Sequence, residues 1–423
     1  MEETRKFNNY FLLFTTFIFF AAVYWLYQKH NVGNDSTISE WFINYEGGFT
    51  RRGIIGQICF ELADFFELRL RFVIFVFQSI TYFVYMFLIY RLIKNLPQNI
   101  STIVAIYSPL FLLYPLGEIE VLARKEIFLF IGFVIFLYVS SIEKNKNNSL
   151  IYIFFIFPIL CLIWEPFVFF SSFSIFIILI RFREDLTINI LRKITLAFSS
   201  TFVISLYIVL NLLTLEEHAV MAEALKNSFG EVCYMSCGLL GTKISIKAQY
   251  TGVLNLFSFK VFFRYFLMML IGYFPLLVLY YNSTLKNKII FFQRFNSLLI
   301  PFFIILLPSL LLFAIMTDWG RVVNMTYTFS ILTYLYLLKN DLIILNKKIL
   351  LFDNLYKHKK RLFIFIFFIF AFFWNPKTQM RGDVATNTLY KIIYNSSKRI
   401  IGFEGIYLFK DSAIMKFHKN YIE

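Results

Sequence analysis

The chain has 423 residues, of which 59% are hydrophobic, 21% aromatic and 16% charged, and its mean hydropathy is +0.68. Soluble domains carry about 25% charged residues, so a soluble globular enzyme is excluded and an integral membrane protein is indicated. The 41 Lys and Arg against 26 Asp and Glu leave a net charge of +15, an excess that in a polytopic chain marks cytoplasmic loops rather than a nucleic-acid partner.

A bilayer core of about 30 Å asks for about 20 mostly apolar residues per helix. About eleven such stretches occur, near 10–27, 72–90, 101–117, 127–142, 149–164, 166–180, 194–214, 261–281, 298–316, 322–338 and 362–375. The reading is therefore an all-α, polytopic membrane protein. The first stretch is too long for a cleavable signal and ends in Tyr24, Trp25 and Tyr27, an interfacial aromatic belt. With the N-terminus inside, the Lys and Arg of the short loops fall on alternate sides. Arg5, Lys6, Arg91, Lys94, Lys144, Lys146, Arg181, Arg183, Arg192, Lys193, Lys286, Lys288, Arg294 and the block from Lys347 to Arg361 are expected inside. Loops 28–71, 118–126, 215–260 and 317–321 and a tail from about 376 are expected outside. No fixed-period repeat, low-complexity tract or soluble domain boundary is visible, so residues 1–423 read as one membrane domain.

The outward loops hold the unusual residues. In the first, Asn44-Tyr-Glu-Gly-Gly-Phe-Thr-Arg-Arg-Gly53 precedes an amphipathic stretch with apolar residues at 54, 55, 58, 62, 65 and 66 and polar ones on the other face. That pattern suits a helix lying in the interface. Glycines permit a tight turn, a helix N-terminus offers free N–H groups, and Arg51 and Arg52 add bidentate donors for phosphate. The plainer alternative is that both arginines snorkel to lipid phosphates.

The second short loop, Gly117-Glu-Ile-Glu-Val-Leu-Ala-Arg-Lys-Glu126, packs five charges into ten residues between apolar spans. Arg124, Lys125 and Glu126 open the next helix at or below the membrane surface, where charge is costly and is either paired or functional. Glu118 and Glu120 support them, and a Glu–Arg staple between helix ends is the plain reading. Glu165, in Ile163-Trp-Glu-Pro-Phe167, is alone in an otherwise uncharged stretch from 147 to 180. Pro166 breaks the helix there, and burial is expected to raise the carboxyl pKa toward the range of a general base. Glu165 is thus the first candidate base and Glu46 the second; the alternative is that Glu165 neutralises a buried Arg. In Asp318-Trp-Gly-Arg321 the acid and base are three residues apart and can touch on one helical turn.

Four cysteines exclude a disulfide-rich scaffold. Cys233 and Cys237, expected outside, can close a disulfide that staples their loop. A zinc site is not expected, because His30, His218, His358 and His418 are scattered along the chain and further ligands are not evident. No P-loop, dinucleotide fingerprint, H-E-x-x-H or Ser-His-Asp arrangement is present.

All four charged clusters thus fall on the outward face. Arginines beside isolated carboxylates at the water boundary suit displacement of a lipid-linked phosphate or pyrophosphate: Arg neutralises the leaving group and a carboxylate deprotonates the incoming hydroxyl. The span number, the two enlarged outer loops, the Arg-bearing loop and the Tyr-Glu-Gly-Gly-Phe-Thr-Arg-Arg-Gly, Ala-Arg-Lys-Glu, Trp-Glu-Pro and Asp-Trp-Gly-Arg stretches resemble the O-antigen and capsule repeat-unit polymerases of the Wzy type. That resemblance implies a bacterial inner-membrane enzyme that transfers a growing glycan from undecaprenyl pyrophosphate to a new lipid-linked repeat unit on the periplasmic face. It implies no metal and no cofactor, and as partners the lipid-linked oligosaccharide, membrane lipid, a chain-length regulator and a flippase. Arg51, Arg52, Arg124, Lys125 and Arg321 would bind phosphate, with Glu118, Glu120, Glu126 and Asp318 in support. A GT-C glycosyltransferase using a polyprenyl-phosphate sugar is similar in layout; Asp35, Glu40 and Glu46 would then fill its first-loop carboxylate. A transporter or flippase, with Glu165, Asp318 and Arg321 in the pathway, is the remaining alternative.

Overall fold

The computed structural model describes residues 2–380 except 32, 34, 98, 242–245, 287–294 and 347–350, with side chains from Lys6 onward. Lys288, Arg294, Lys347, Lys348, His418 and the expected outward tail from 381 lie outside the described residues, as does the side chain of Arg5. Among those described, the fold is helical, with one two-stranded antiparallel ribbon, Ser283–Leu285 against Ile343–Leu345, in which Ser283 faces Leu345.

Among the described residues, five helices are long and apolar enough to cross a membrane: Lys6–His30, Leu70–Ile93, Lys146–Ile163, Ile188–Leu210 and Phe259–Tyr281. Each presents many apolar side chains outward, among them Phe20, Phe83, Phe155, Phe202 and Phe266, as lipid in place of water permits. The other expected spans take different forms. Glu126–Val139 and Leu299–Ile315 are shorter apolar helices, the second broken between Leu310 and Leu312 just after Pro308. Residues 101–117 are not one helix: Ile100–Ile106 is followed by turns and the short Tyr114–Gly117. Pro109 and Pro115 interrupt the backbone bonding there, and buried side chains such as Asn324 reach its freed carbonyls, donating to Leu110 O at 2.7 Å. Residues 166–180 begin as a 3-10 turn, Glu165–Phe170, and continue as Ser171–Arg181.

At the centre stands Trp319–Lys339, in which every residue from Trp319 to Leu338 is buried. It packs against Leu70–Ile93, Glu126–Val139, Ser171–Arg181, Phe259–Tyr281 and Leu299–Leu310, so protein rather than lipid surrounds it. That explains its tolerance of Asn324, Thr326, Ser330 and Thr333, whose hydroxyls and amide bond to nearby carbonyls. Phe329 is its aromatic hub, with ring centroids 4.6 Å from both Phe133 and Phe170 and 5.7 Å from Phe173.

The two sets of loop charges collect at separate places. Among residues expected inside, Arg181 donates to Lys144 O, Lys146 pairs with Asp185, and the carbonyl of Arg91 accepts from Lys339. Of those expected outside, Arg51, Arg52, Glu40, Arg124, Lys125, Glu126, Glu165, Asp318 and Arg321 meet one another and form the site described next.

Candidate functional site

The site begins with a close approach of backbone to backbone. The helix Gly53–Phe65 lies against the segment 41–45 so tightly that a Cβ on Gly56 would fall 1.8 Å from the carbonyl oxygen of Ile43. Arg52, which precedes that helix, adopts a left-handed conformation (φ 63°). This residue-level strain aims its guanidinium inward, toward Glu40 and Glu165. The helix splits its apolar stripe: Ile58, Leu62, Phe65 and Phe66 are exposed, whereas Ile55 joins Gly53, Gly56, Cys59, Phe60 and Ala63 in the buried face. An exposed apolar stripe beside Glu61 and Asp64 fits the expected interfacial position.

Three further chain segments converge on Arg52. Lys146–Ile163 ends at an extended Trp164, and the 3-10 turn after it places Glu165 so that its carboxylate accepts from Arg52 Nε and Nη2, each at 2.8 Å, and from Arg51 Nη1 at 3.4 Å. Glu40, fully buried on the turn Glu40–Phe42, accepts from Arg52 Nη1 at 3.3 Å and Arg124 Nη1 at 3.0 Å. Lys125, also fully buried, donates to Arg52 O at 2.6 Å and lies over the Trp41 ring. The turn that carries Arg124 and Lys125 is pinned by Ala123 O, which accepts from Trp41 Nε1 at 2.6 Å and Gln78 Nε2 at 2.9 Å.

The start of the central helix completes the cluster. Asp318 Oδ2 is 3.5 Å from Arg321 Nη1, as the spacing of one turn allows, and 3.9 Å from Arg124 Nη2. Arg321 also pairs with Glu126 at 3.3 Å and stands over the Trp164 ring. Five cationic side chains (Arg51, Arg52, Arg124, Lys125, Arg321) thus meet four anionic ones (Glu40, Glu126, Glu165, Asp318), leaving one positive charge in excess. Among the described residues, several polar atoms inside it have neither a hydrogen bond nor an ion pair: Arg124 Nε, Arg321 Nε, Glu126 Oε2 and Trp164 Nε1. An unsatisfied buried polar atom costs about 1–3 kcal/mol, and such atoms mark a place for a ligand or a conformational adjustment.

The expected rise in the pKa of Glu165 does not occur. Burial opposes its ionisation, but Arg52, through charge and hydrogen bonds, and then Arg51 outweigh it, holding the carboxyl at about 2 against an ordinary 4.5. A carboxylate so held is a poor proton acceptor, and Glu165 is an anchor for two arginines. Glu40 is likewise held below the ordinary range, with burial opposed chiefly by Arg124 and Arg52. Lys125 moves the other way: burial lowers its ammonium to about 8, and Glu40 limits the fall.

The remaining candidates lie apart. Glu46 is exposed and accepts from Gln57 Nε2 at 2.8 Å, with no ion pair among the described residues to the cluster's cations. Glu118 is buried against another segment, accepting from Thr378 N at 3.2 Å and Thr378 Oγ1 at 3.1 Å and pairing with Lys377. Glu120 pairs with Lys29, which also holds Asp35 at 2.6 Å. The loop 118–126 therefore points its acids three ways, and only Glu126 enters the cluster. The residue that motif reading undervalued is Glu40, which stands in the chain as one of several first-loop acids and whose role rests on contacts 12 and 84 positions away.

Beside the cluster runs an apolar groove of about 550 Å³ between Phe259–Tyr281 and Leu299–Leu310, lined by Phe262, Tyr265, Tyr273, Phe302, Leu306 and Trp319 among others. Trp319 joins groove and cluster, being flanked in sequence by Asp318. No protein-family model, curated protein or solved structure matches the chain.

Proposed function

We propose that the chain is a membrane glycosyltransferase that polymerises lipid-linked oligosaccharide repeat units, with the charged cluster as its pyrophosphate site. The carrying observation is the cluster itself: nine convergent charges with one positive in excess and the Nε atoms of Arg124 and Arg321 without a partner among the described residues, next to a groove suited to an isoprenoid chain. In this reading the chain crosses the inner membrane about eleven times with its N-terminus inside, short and protein-sheathed helices supplying the crossings beyond the five long ones, and the cluster faces the periplasm. The undecaprenyl tail lies in or near the groove, and Arg321, Arg124 and the partly exposed Arg51 neutralise the pyrophosphate.

The acceptor hydroxyl attacks the anomeric carbon of the donor sugar, the bond from that carbon to the pyrophosphate oxygen breaks, and the leaving group departs with its charge balanced by arginine. Asp318 is the carboxylate best placed to take the hydroxyl proton. Its side chain is the most exposed of the four acids, and its contacts to Arg124 and Arg321 are long. Glu165 and Glu40 then position arginines rather than react. Of the three first-loop acids a GT-C reading would use, Asp35 and Glu40 are committed to cations, whereas the exposed Glu46 accepts from Gln57 and is the acid that reading would have to rest on.

The test is deletion in the source cell, with gel analysis of surface glycan and complementation by wild type and Arg51→Ala. Loss of the long-chain ladder with survival of single repeat units, restored by wild type and not by the variant, is the expected result. Defects within the repeat unit would turn the assignment to a GT-C enzyme, and unchanged glycan would turn it to transport.

A further inference from the structure

We infer that Cys233, Cys237 and His218 form a binding site for one thiophilic divalent cation, zinc fitting best, that opens when the Cys233–Cys237 disulfide is reduced. The expectation that scattered histidines leave these cysteines without a metal-binding neighbour does not survive folding. The helix Leu215–Phe229, fixed at its start by a Thr214–Glu217 capping box, presents His218 to the loop that follows, where the two cysteines are bonded. His218 Nε2 is 3.4 Å from Cys233 Sγ and 3.2 Å from Cys237 O. The three donor atoms all lie within 4.8 Å of one another.

Those distances suit a tetrahedral ion. With Zn–S about 2.3 Å and Zn–N about 2.0–2.1 Å, sulfur and nitrogen on one zinc are about 3.6 Å apart and two sulfurs about 3.8 Å. The imidazole is already at that separation from Cys233. The cysteine Cα atoms are 5.2 Å apart, so rotation of the freed side chains suffices to spread the sulfurs. Two thiolates and an imidazole select zinc over magnesium, calcium or manganese. No fourth protein donor belongs to the group among the described residues, which leaves one coordination position for water.

The loop's placement does not depend on the disulfide alone. Glu231 accepts from Arg71 Nε at 2.6 Å and Nη2 at 2.9 Å, and Phe229 packs edge-on to Phe60 at 5.0 Å. His218 and the cysteines therefore stay together after reduction. A protein dithiol reduces the pair: its two thiols become a disulfide, and Cys233 and Cys237 become thiols. Zinc then binds two thiolates and the neutral imidazole and releases two protons. Either clip fastens a helix that covers the arginine turn, since a Cβ on Gly47 would fall 1.9 Å from Glu217 O.

The test uses the full chain in detergent micelles, reduced with a phosphine and titrated without oxygen with Co²⁺ as the spectroscopic probe, then with Zn²⁺. Reduced protein should bind one ion per chain, with thiolate-to-cobalt charge-transfer bands that zinc abolishes, and the oxidised protein should show none. Cys233→Ser should remove the bands although Cys59 and Cys161 remain. His218→Gln, which leaves the disulfide intact, should weaken binding by more than the roughly 10–100-fold lost with a group that merely orients a ligand. Absence of bands in reduced wild type, bands that persist in Cys233→Ser, or indifference to His218→Gln would each overturn the site. Unfolding on reduction, read by far-UV circular dichroism, would overturn it too.

Discussion

Replacing Glu165 by Gln tests whether this carboxylate anchors arginines or accepts a proton. The change removes the acceptor of two 2.8 Å bonds from Arg52 and a 3.4 Å bond from Arg51. Glu165 titrates at about 2 in the folded chain against an ordinary 4.5, and at 1.36 kcal/mol per unit this difference corresponds to about 3 kcal/mol. Removal of one partner from a buried pair costs a similar amount, about 3–5 kcal/mol. Because the folded pKa is depressed, the contribution is fully present above about 4.5 and disappears as pH falls toward about 2. Stability read by denaturant titration in mixed micelles should therefore drop by about 3 kcal/mol in Glu165→Gln at neutral pH, and the gap to wild type should narrow on acidification through that window. In a double-mutant cycle with Arg52→Gln, the two losses should be strongly non-additive. Additivity within about 0.5 kcal/mol would refute the anchor, as would a variant of wild-type stability whose activity alone is lost.

Asp318→Asn should lower glycan elongation about 10²–10⁴-fold, the usual contribution of a positioned base, with a loss of stability smaller than that of Glu165→Gln because its ion pairs are longer; a variant that still builds wild-type ladders removes Asp318 from the chemistry. Arg124→Lys and Arg321→Lys should each elongate poorly in the same gel assay, because an ammonium lacks the planar pair of donors. Phe329→Ala empties the aromatic hub between Phe133 and Phe170 and should cost about 3–5 kcal/mol in the same titration; a loss under about 1 kcal/mol would mean that the helices around Trp319–Lys339 close the gap.

The long apolar helices were legible because composition over about 20 residues is itself the physical requirement for crossing lipid. The same criterion misreads 101–117, since apolar content does not distinguish a helix from buried turns, and the turns persist through donors such as Asn324 that are distant in the chain. Each charged loop was recognisable singly as costly in a membrane. Which acid meets which base was not, because Arg52 finds Glu165 across 113 residues and Arg124 finds Glu40 across 84. The expected rise in the Glu165 pKa fails for that reason: burial is readable from its neighbours, whereas the arginines that reverse its effect come from another loop. His218 looks remote from the cysteines in the sequence for a related reason, being brought to Cys233 by the return of a loop rather than by spacing.

The central claim is tested most directly by reconstituting the purified chain in lipid nanodiscs with an undecaprenyl-pyrophosphate-linked repeat unit and reading product length on a gel. The account predicts a ladder of elongated glycan with release of undecaprenyl pyrophosphate, and single repeats only when Asp318→Asn or Arg321→Gln replaces wild type. Single repeats with the folded wild-type protein, or an undiminished ladder with both variants, would contradict it.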